Sequence, residues 1–158
     1  GIRPAVSYAN GPLSIRAGVE AGKVSVAAGT TAPKFTGFGG SVAYDLGGFK
    51  ITGNVASGKV DFGAGIPEDE HTAFGLIGSF GPANLGVIAA TNDDGSGAPK
   101  EKVTTFYASY TLPLFDIKGA SITPAFSVSQ AKNAWNPATA TSTTNKDNTV
   151  RVRINYTF

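Results

Sequence analysis

The last ten residues, Thr149 to Phe158 (TVRVRINYTF), decide the fold of this 158-residue chain. From Val150 to Phe158 every second residue is apolar, and polar residues, Arg151 and Arg153 among them, lie between. Successive side chains of a β-strand point to opposite faces, so strict period-two alternation predicts a strand with one apolar and one polar face. The question for function is which surroundings each face meets.

The same alternation recurs in about nine segments, and no segment has helical periodicity. In addition to the last strand, eight segments show an apolar face, and these faces begin at Ile2, Leu13, Phe38, Phe49, Phe74, Leu85, Phe106 and Ala120. The alternation slips phase at Gly22, within 21–28, which predicts either a β-bulge or an additional tight turn there. The chain is therefore predicted to be all-β.

Composition excludes several classes of protein. The chain has no cysteine, which excludes disulfides and thiol chemistry, and its hydrophobic content is 41% with 15% charged residues. No apolar run reaches the roughly 18 residues of a transmembrane helix. The net charge of +2 comes from scattered residues and does not indicate a nucleic-acid partner.

The links between the predicted strands alternate in length. Short, turn-rich links alternate with long polar ones near 29–35, 57–72, 92–102 and 132–148. Transmembrane barrels place short turns on the periplasmic side and long loops outside, whereas a soluble sandwich has no reason to alternate in this way. The pattern predicts an antiparallel up-and-down transmembrane β-barrel.

Aromatic residues cluster near both ends of the predicted strands, as they would in two girdles at the membrane interfaces. Near the short turns and the terminus lie Tyr8, Tyr44, Phe49, Phe80, Tyr110, Phe115, Tyr156 and Phe158. Near the long links lie Phe38, Phe62, Phe74 and Phe106.

The hairpins and the closing VRVRINYTF resemble the C-terminal part of a bacterial outer-membrane porin. The resemblance implies that Phe158 is part of the signal read by the barrel-assembly machinery, and that a homotrimer is a common state. The stretch VSYANGPLSIRAGVEAG from Val6 is similar to barrels that follow an S-layer-homology domain. These implications rest on the resemblance alone.

Strand parity predicts that barrel strands are missing. Bacterial single-chain barrels have an even number of strands, with both termini normally periplasmic. Counting back nine strands from a periplasmic Phe158 puts residue 1 at the outer end. We therefore expect a C-terminal fragment of a larger barrel, whose partners are the lipid bilayer and the remainder of the same barrel. An additional turn near Gly22 would instead bring the piece nearer to a small closed barrel.

The cost of burying charge in lipid predicts which face lines the pore. A lipid-facing Arg or Lys near the midplane costs about 2–4 kcal/mol. The polar face should therefore line the pore, with Arg16, Glu20, Lys50, Asn54, Arg151 and Arg153 as lining residues and Ser79 beside them. The alternative is a soluble sandwich in which the apolar face forms a core.

Catalysis finds little support in the sequence. GNVASGKV from Gly53 ends on Val60 where a phosphate-binding loop needs Ser or Thr, and there is no serine elbow. Glu68, Asp69 and Glu70, next to the sole histidine, could hold Ca²⁺ or Mg²⁺ or could be an ordinary charged loop. No other cofactor is predicted.

Two functions follow from these expectations. The first is a non-enzymatic outer-membrane channel for passive diffusion of ions and small hydrophilic solutes, with a mild preference for anions. The second is a structural cell-envelope protein, linked to the S-layer and anchored by its barrel.

Overall fold

A computed structural model describes residues 1–25, 32–63, 65–115, 117–136 and 141–157. Ten strands form within these residues: β1 (Ala5–Asn10), β2 (Leu13–Lys23), β3 (Lys34–Asp45), β4 (Phe49–Asp61), β5 (Asp69–Phe80), β6 (Ala83–Asp93), β7 (Glu101–Tyr110), β8 (Leu112–Pro113), β9 (Ala120–Asn136) and β10 (Thr141–Tyr156). No helix of the described residues is long and apolar enough to cross a membrane. The prediction of an all-β chain is confirmed.

All strands belong to one antiparallel sheet in up-and-down order. Nine of the described strands follow one path from β1 to β10, and the two-residue β8 pairs with β9 beside that path. The sheet is not closed, because no pairing joins β1 to β10 among the described residues. The predicted count of about nine strands matches the nine on the path.

Tight turns join the strands at one end of the sheet. Gly11 and Gly81 each begin a two-residue turn with φ of 54°, a left-handed conformation that glycine adopts without a steric penalty. We call this the turn end. The opposite end, where β4 connects to β5 and β6 to β7, is the loop end.

Two of the predicted long loops are shorter than expected. Much of 57–72 and most of 132–148 lie within strands, because β4 continues to Asp61, β5 begins at Asp69 and β9 continues to Asn136. Polar side chains end the apolar alternation there without ending the backbone hydrogen bonding. The predicted loop at 92–102 becomes the connection 94–100. Of the predicted loop at 29–35, residues 29–31 lie outside the described residues, and β3 begins at Lys34.

The expected bulge or turn at Gly22 does not occur in the described part of that segment. The register of β2 with β3 runs without interruption to the pair of Lys23 and Lys34. Gly22 pairs with Phe35, whose ring lies where a side chain on residue 22 would be. The apparent slip is therefore a glycine covered by an aromatic ring from the next strand. Residues 26–28 lie outside the described residues.

The sheet is a single layer with almost no core. Among the described residues Ala43, at 8% exposure, is the one buried hydrophobic residue. Large apolar side chains are instead exposed, such as Phe74 at 59% and Val150 at 74%. A soluble sandwich packs two sheets with their apolar faces together, and no second layer exists in the described part of the chain. An apolar surface of this extent requires a partner or lipid.

Gly86 gives a test of the packing on the sheet. It pairs with Tyr107, and the tyrosine ring lies over the glycine, where a Cβ would collide with it. We expect Gly86→Val to lower the free energy of unfolding by about 1–2 kcal/mol, because the ring must move away. Gly53→Val is the matched control, since nothing lies within 4 Å of a Cβ at Gly53.

Urea unfolding of the refolded protein measures both variants. Tyr107→Ala should abolish the additional cost of Gly86→Val when the two substitutions are combined. An equal cost of Gly86→Val with and without the Tyr107 ring would contradict the packing described here.

Candidate functional site

The strand register sorts the sheet into two unlike faces. One ladder of directly paired residues crosses eight strands on the apolar face: Leu13, Tyr44, Ile51, Gly78, Leu85, Ala108, Phe126 and Val150. The residues next to these along each strand form the opposite face, which is rich in Ser, Thr, Asn, Gly and charged residues. We call these the apolar face and the polar face.

Aromatic residues edge the apolar face at the turn end. Phe49 pairs with Phe80, and their rings stack with centroids 4.3 Å apart. Phe80 pairs with Ala83, which pairs with Tyr110, so that the three aromatic residues share one row. Tyr44, 46% exposed, lies one row further from the turns. Aromatic rings favour the interfacial level, so the stacked rings of Phe49 and Phe80 are suited to a membrane interface.

All six residues predicted to line a pore lie on strands and share the polar face. Arg16 pairs with Ser41, which pairs with Asn54, so these residues occupy one row. A second row on this face lies closer to the turns and contains both Lys50 and Arg151. Its members, in order across the sheet, are Asp45, Lys50, Ser79, Asn84, Ser109, Ala125 and Arg151. Sequence parity alone had placed these side chains on one surface, and the register places them in shared rows.

Cross-strand hydrogen bonds connect the neutral polar residues of this face. Ser79 Oγ donates to Asn84 Oδ1 over 2.7 Å, and the hydroxyls of Thr105 and Ser129 lie 2.8 Å apart. These hydrogen bonds hold the short side chains close to the sheet, so these side chains do not fill the space in front of the polar face. In the described part of the chain the polar face is thus a largely hydrophilic surface without a packed interior.

The apolar band crosses the sheet obliquely. In β2 the alternating apolar residues are centred on Ala17, and in β10 they are centred between Val152 and Ile154. Pairing carries Ala17 through Gly40, Val55, Phe74, Ala89, Thr104 and Gln130 to Lys146. The band is therefore displaced by about seven residues over seven strand-to-strand steps, or about one residue per strand.

This displacement measures the strand tilt that a level membrane would require. One residue advances about 3.4 Å along a strand and neighbouring strands lie about 4.8 Å apart, which gives a tilt of about 35°. Transmembrane barrels tilt their strands by about 35–45°. The apolar band is level in a membrane only if the sheet is tilted as it is in such barrels.

Depth relative to the band separates the charged residues of the polar face into two groups. Arg16 lies beside the centre of the band in β2, and Arg153 lies at its centre in β10, with Arg151 two residues away. Lys50 lies two residues toward the turns from the centre in β4. The basic residues are thus at middle depth, while Glu20 lies at the loop end.

The loop end of the polar face borders a cavity of about 800 Å³. Gly37 and Gly58 are paired on its floor, between Glu20 on one side and His71 on the other. Arg3 Nε lies 2.9 Å from Glu20 Oε2 at its edge. Because the two glycines have no side chains, the polar face is recessed at this point.

Several charged residues of the polar face were not predicted from the sequence. Asp69, His71, Glu101 and Asp147 lie on it near the loop end, and Nε2 of His71 lies 3.2 Å from Oδ2 of Asp69. All four fall in ranges that were expected to be loops. Continuing the alternation backward from Thr149 would have found Asp147, and continuing it past Ala73 would have found His71.

The three acidic residues predicted to bind a metal do not form one ligand set. Glu68 Oε2 lies 2.7 Å from Lys59 Nζ. Asp69 and Glu70 are consecutive in β5, so their side chains point to opposite faces. No group of three metal-ligating side chains occurs within the described part of the chain. The strand geometry therefore does not support the loop metal site.

The connection 94–100 forms a short ordered structure of its own. Lys100 Nζ lies 2.8 Å from Asp93 Oδ2, and this carboxylate raises the pKa of Lys100. Asp94 accepts hydrogen bonds from the hydroxyl and backbone N–H of Ser96, which lower its pKa. These contacts lie beyond the apolar band and hold the loop compact.

Comparison with known proteins identifies the fold. The chain is similar to the solved structure of OmpT from Vibrio cholerae, an outer membrane protein in its trimer form. The TM-score is 0.70 with 17% sequence identity, and the match covers 96% of this chain and 54% of that one. The fold is that of an outer-membrane β-barrel.

At this identity the likeness shows the fold alone. The chain spans about half the length of the solved structure it matches. No protein-family model matches the sequence, and no curated protein matches it significantly. Nothing in these comparisons supports the finer resemblance to barrels linked to an S-layer-homology domain. Phe158, the predicted assembly signal, lies outside the described residues.

Proposed function

We propose that this chain is part of an outer-membrane β-barrel whose polar face lines a water-filled channel for ions and small hydrophilic solutes. The observation that carries the proposal is the opposition of the two faces. One face exposes a tilted apolar band edged by aromatic rings, and the other presents Arg16, Lys50, Asn54 and Arg151 over unfilled space. Lipid fits the first face and water fits the second.

The open sheet supports a wide barrel. β1 and β10 are the first and the ninth strand of the antiparallel path, so they run in the same direction. Antiparallel closure therefore requires an odd number of further strands, which the remainder of the same barrel supplies. Barrels of about eight strands are filled by their own side chains, whereas barrels of 16–18 strands leave an aqueous channel.

The location and partners follow from the same proposal. Likeness to a bacterial outer membrane protein supports the bacterial outer membrane as the location and the lipid bilayer as the partner of the apolar face. The trimer form of that protein supports a homotrimer here as well. Recognition of the terminal strand by the barrel-assembly machinery remains part of the proposal, as does the absence of catalysis.

Planar-bilayer recording tests the channel. The complete natural protein, refolded in detergent and added to one chamber, should produce stepwise conductance increments that scale with salt concentration. Stable insertion into vesicles without conductance would contradict the channel and would favour the structural envelope role. A protein that is soluble without detergent would contradict the membrane barrel itself.

A further inference from the structure

The charges on the polar face are separated along the strand direction. Toward the loop end the described residues of this face carry four carboxylates, Glu20, Asp69, Glu101 and Asp147, against one arginine, Arg3. With His71 neutral this gives a net charge of −3. The arrangement places acidic groups where the loops are.

From middle depth toward the turns the sign is opposite. The described residues there carry four cations, Arg16, Lys50, Arg151 and Arg153, against one carboxylate, Asp45. This gives a net charge of +3. The sequence spacing within single strands already separates the groups, since Glu20 lies four residues beyond Arg16 and Asp147 lies four residues before Arg151.

The separation occurs on strands that lie far apart in the sheet. Arg16 and Glu20 are on β2, whereas Arg151 and Asp147 are on β10, seven pairing steps away. Both strands have the same sense, with the acid toward the loops and the base toward the turns. A shared axial arrangement on distant parts of the wall acts on every ion that passes, whichever side of the channel it follows.

We infer that this wall makes the channel rectify current, because an acidic outer segment and a basic inner segment act in series. The inference rests on the proposed channel. Cations enter readily through the acidic segment and anions through the basic one, so both accumulate when the loop side is positive. At the opposite polarity each ion first meets a segment of its own sign, and the channel is depleted of carriers.

Current–voltage recording of the complete natural protein at about 0.1 M KCl tests the inference, because the Debye length is then about 10 Å. We expect currents at about +100 and −100 mV to differ by about 1.3- to 2-fold, with the larger current when the loop side is positive. At 1 M KCl, where the Debye length is about 3 Å, the difference should nearly vanish.

Two matched triple variants assign the effect to the polar face. Glu20→Gln/Glu101→Gln/Asp147→Asn should reduce the current ratio to nearly 1. Glu68→Gln/Glu70→Gln/Asp93→Asn removes three carboxylates at the same end but away from the polar face, and it should leave the ratio unchanged. Ala98→Cys, in a sequence without cysteine, reports the orientation of insertion through a membrane-impermeant thiol reagent added to one chamber.

The outcomes separate this inference from the channel proposal. Conductance with symmetric currents at low salt, or rectification that survives loss of the three polar-face carboxylates, would overturn the inference and leave the channel intact. Larger current when the loop side is negative would also overturn it. Failure to conduct at either salt concentration would overturn the channel, and the inference with it.

Discussion

Leu76→Arg is expected to lower the free energy of unfolding in a bilayer by about 2–4 kcal/mol. Leu76 is 53% exposed on the apolar face of β5, in the row that also contains Gly53 and Val87. A guanidinium at this position would lie in the hydrocarbon region, where it has no water and no partner. Urea titration of the protein refolded into vesicles measures the change.

The neighbouring residue is the matched control. Ile77 lies on the polar face of the same strand, so Ile77→Arg adds the same charge at nearly the same depth but on the opposite side. We expect it to cost about 1 kcal/mol or less, because the guanidinium reaches water. Equal losses for the two arginine variants would show that both faces meet similar surroundings, which would contradict the membrane barrel.

Arg151→Glu/Arg153→Glu is expected to increase the permeability to K⁺ relative to Cl⁻ by about 3- to 10-fold. The two arginines lie on the polar face of β10 within two residues of the centre of the apolar band, and the double substitution changes the local charge by four. Reversal potentials across a salt gradient measure the ratio. The wild-type protein should show the mild anion preference that four basic residues at middle depth produce.

Lys102→Glu/Lys146→Glu makes the same change in charge outside the polar face. Both lysines lie on the apolar side near the loop end, where they pair with Thr91 and Gln130. Charges behind the wall and beyond the band affect the channel interior little, so the permeability ratio should change by less than about 1.5-fold. A larger shift for the lysine variant than for the arginine variant would rule out Arg151 and Arg153 as lining residues.

Much of the fold could be predicted because alternation is a local property. A strand whose faces meet lipid and water must alternate, so segments such as Phe49–Val55 show their faces directly in the sequence. The same reasoning placed Arg16, Lys50 and Arg153 on one surface, and pairing in the structure agrees with that parity. Short turns were equally local, since Gly11 and Gly81 mark them.

Prediction failed where strands continue beyond the membrane. Above the apolar band both faces meet water, so alternation disappears although the hydrogen-bond ladder continues. His71 and Asp147 were assigned to loops for this reason. Asp69 and Glu70 were grouped as metal ligands because a loop could bring them together, whereas a strand separates them. At Gly22 the ring of Phe35, on the neighbouring strand, covers the position where a side chain would be. A contact between two strands cannot be predicted from the alternation within one of them.

The sequence by itself determined which residues share a face, because a strand repeats every two residues whatever its neighbours are. Only the tertiary structure decided which residues share a depth, because depth depends on register and tilt across many strands. The closing segment TVRVRINYTF fixed Arg151 and Arg153 on one side of one strand. Pairing through the sheet placed Arg151 in the row of Lys50, and the oblique apolar band placed both arginines at the depth of Arg16.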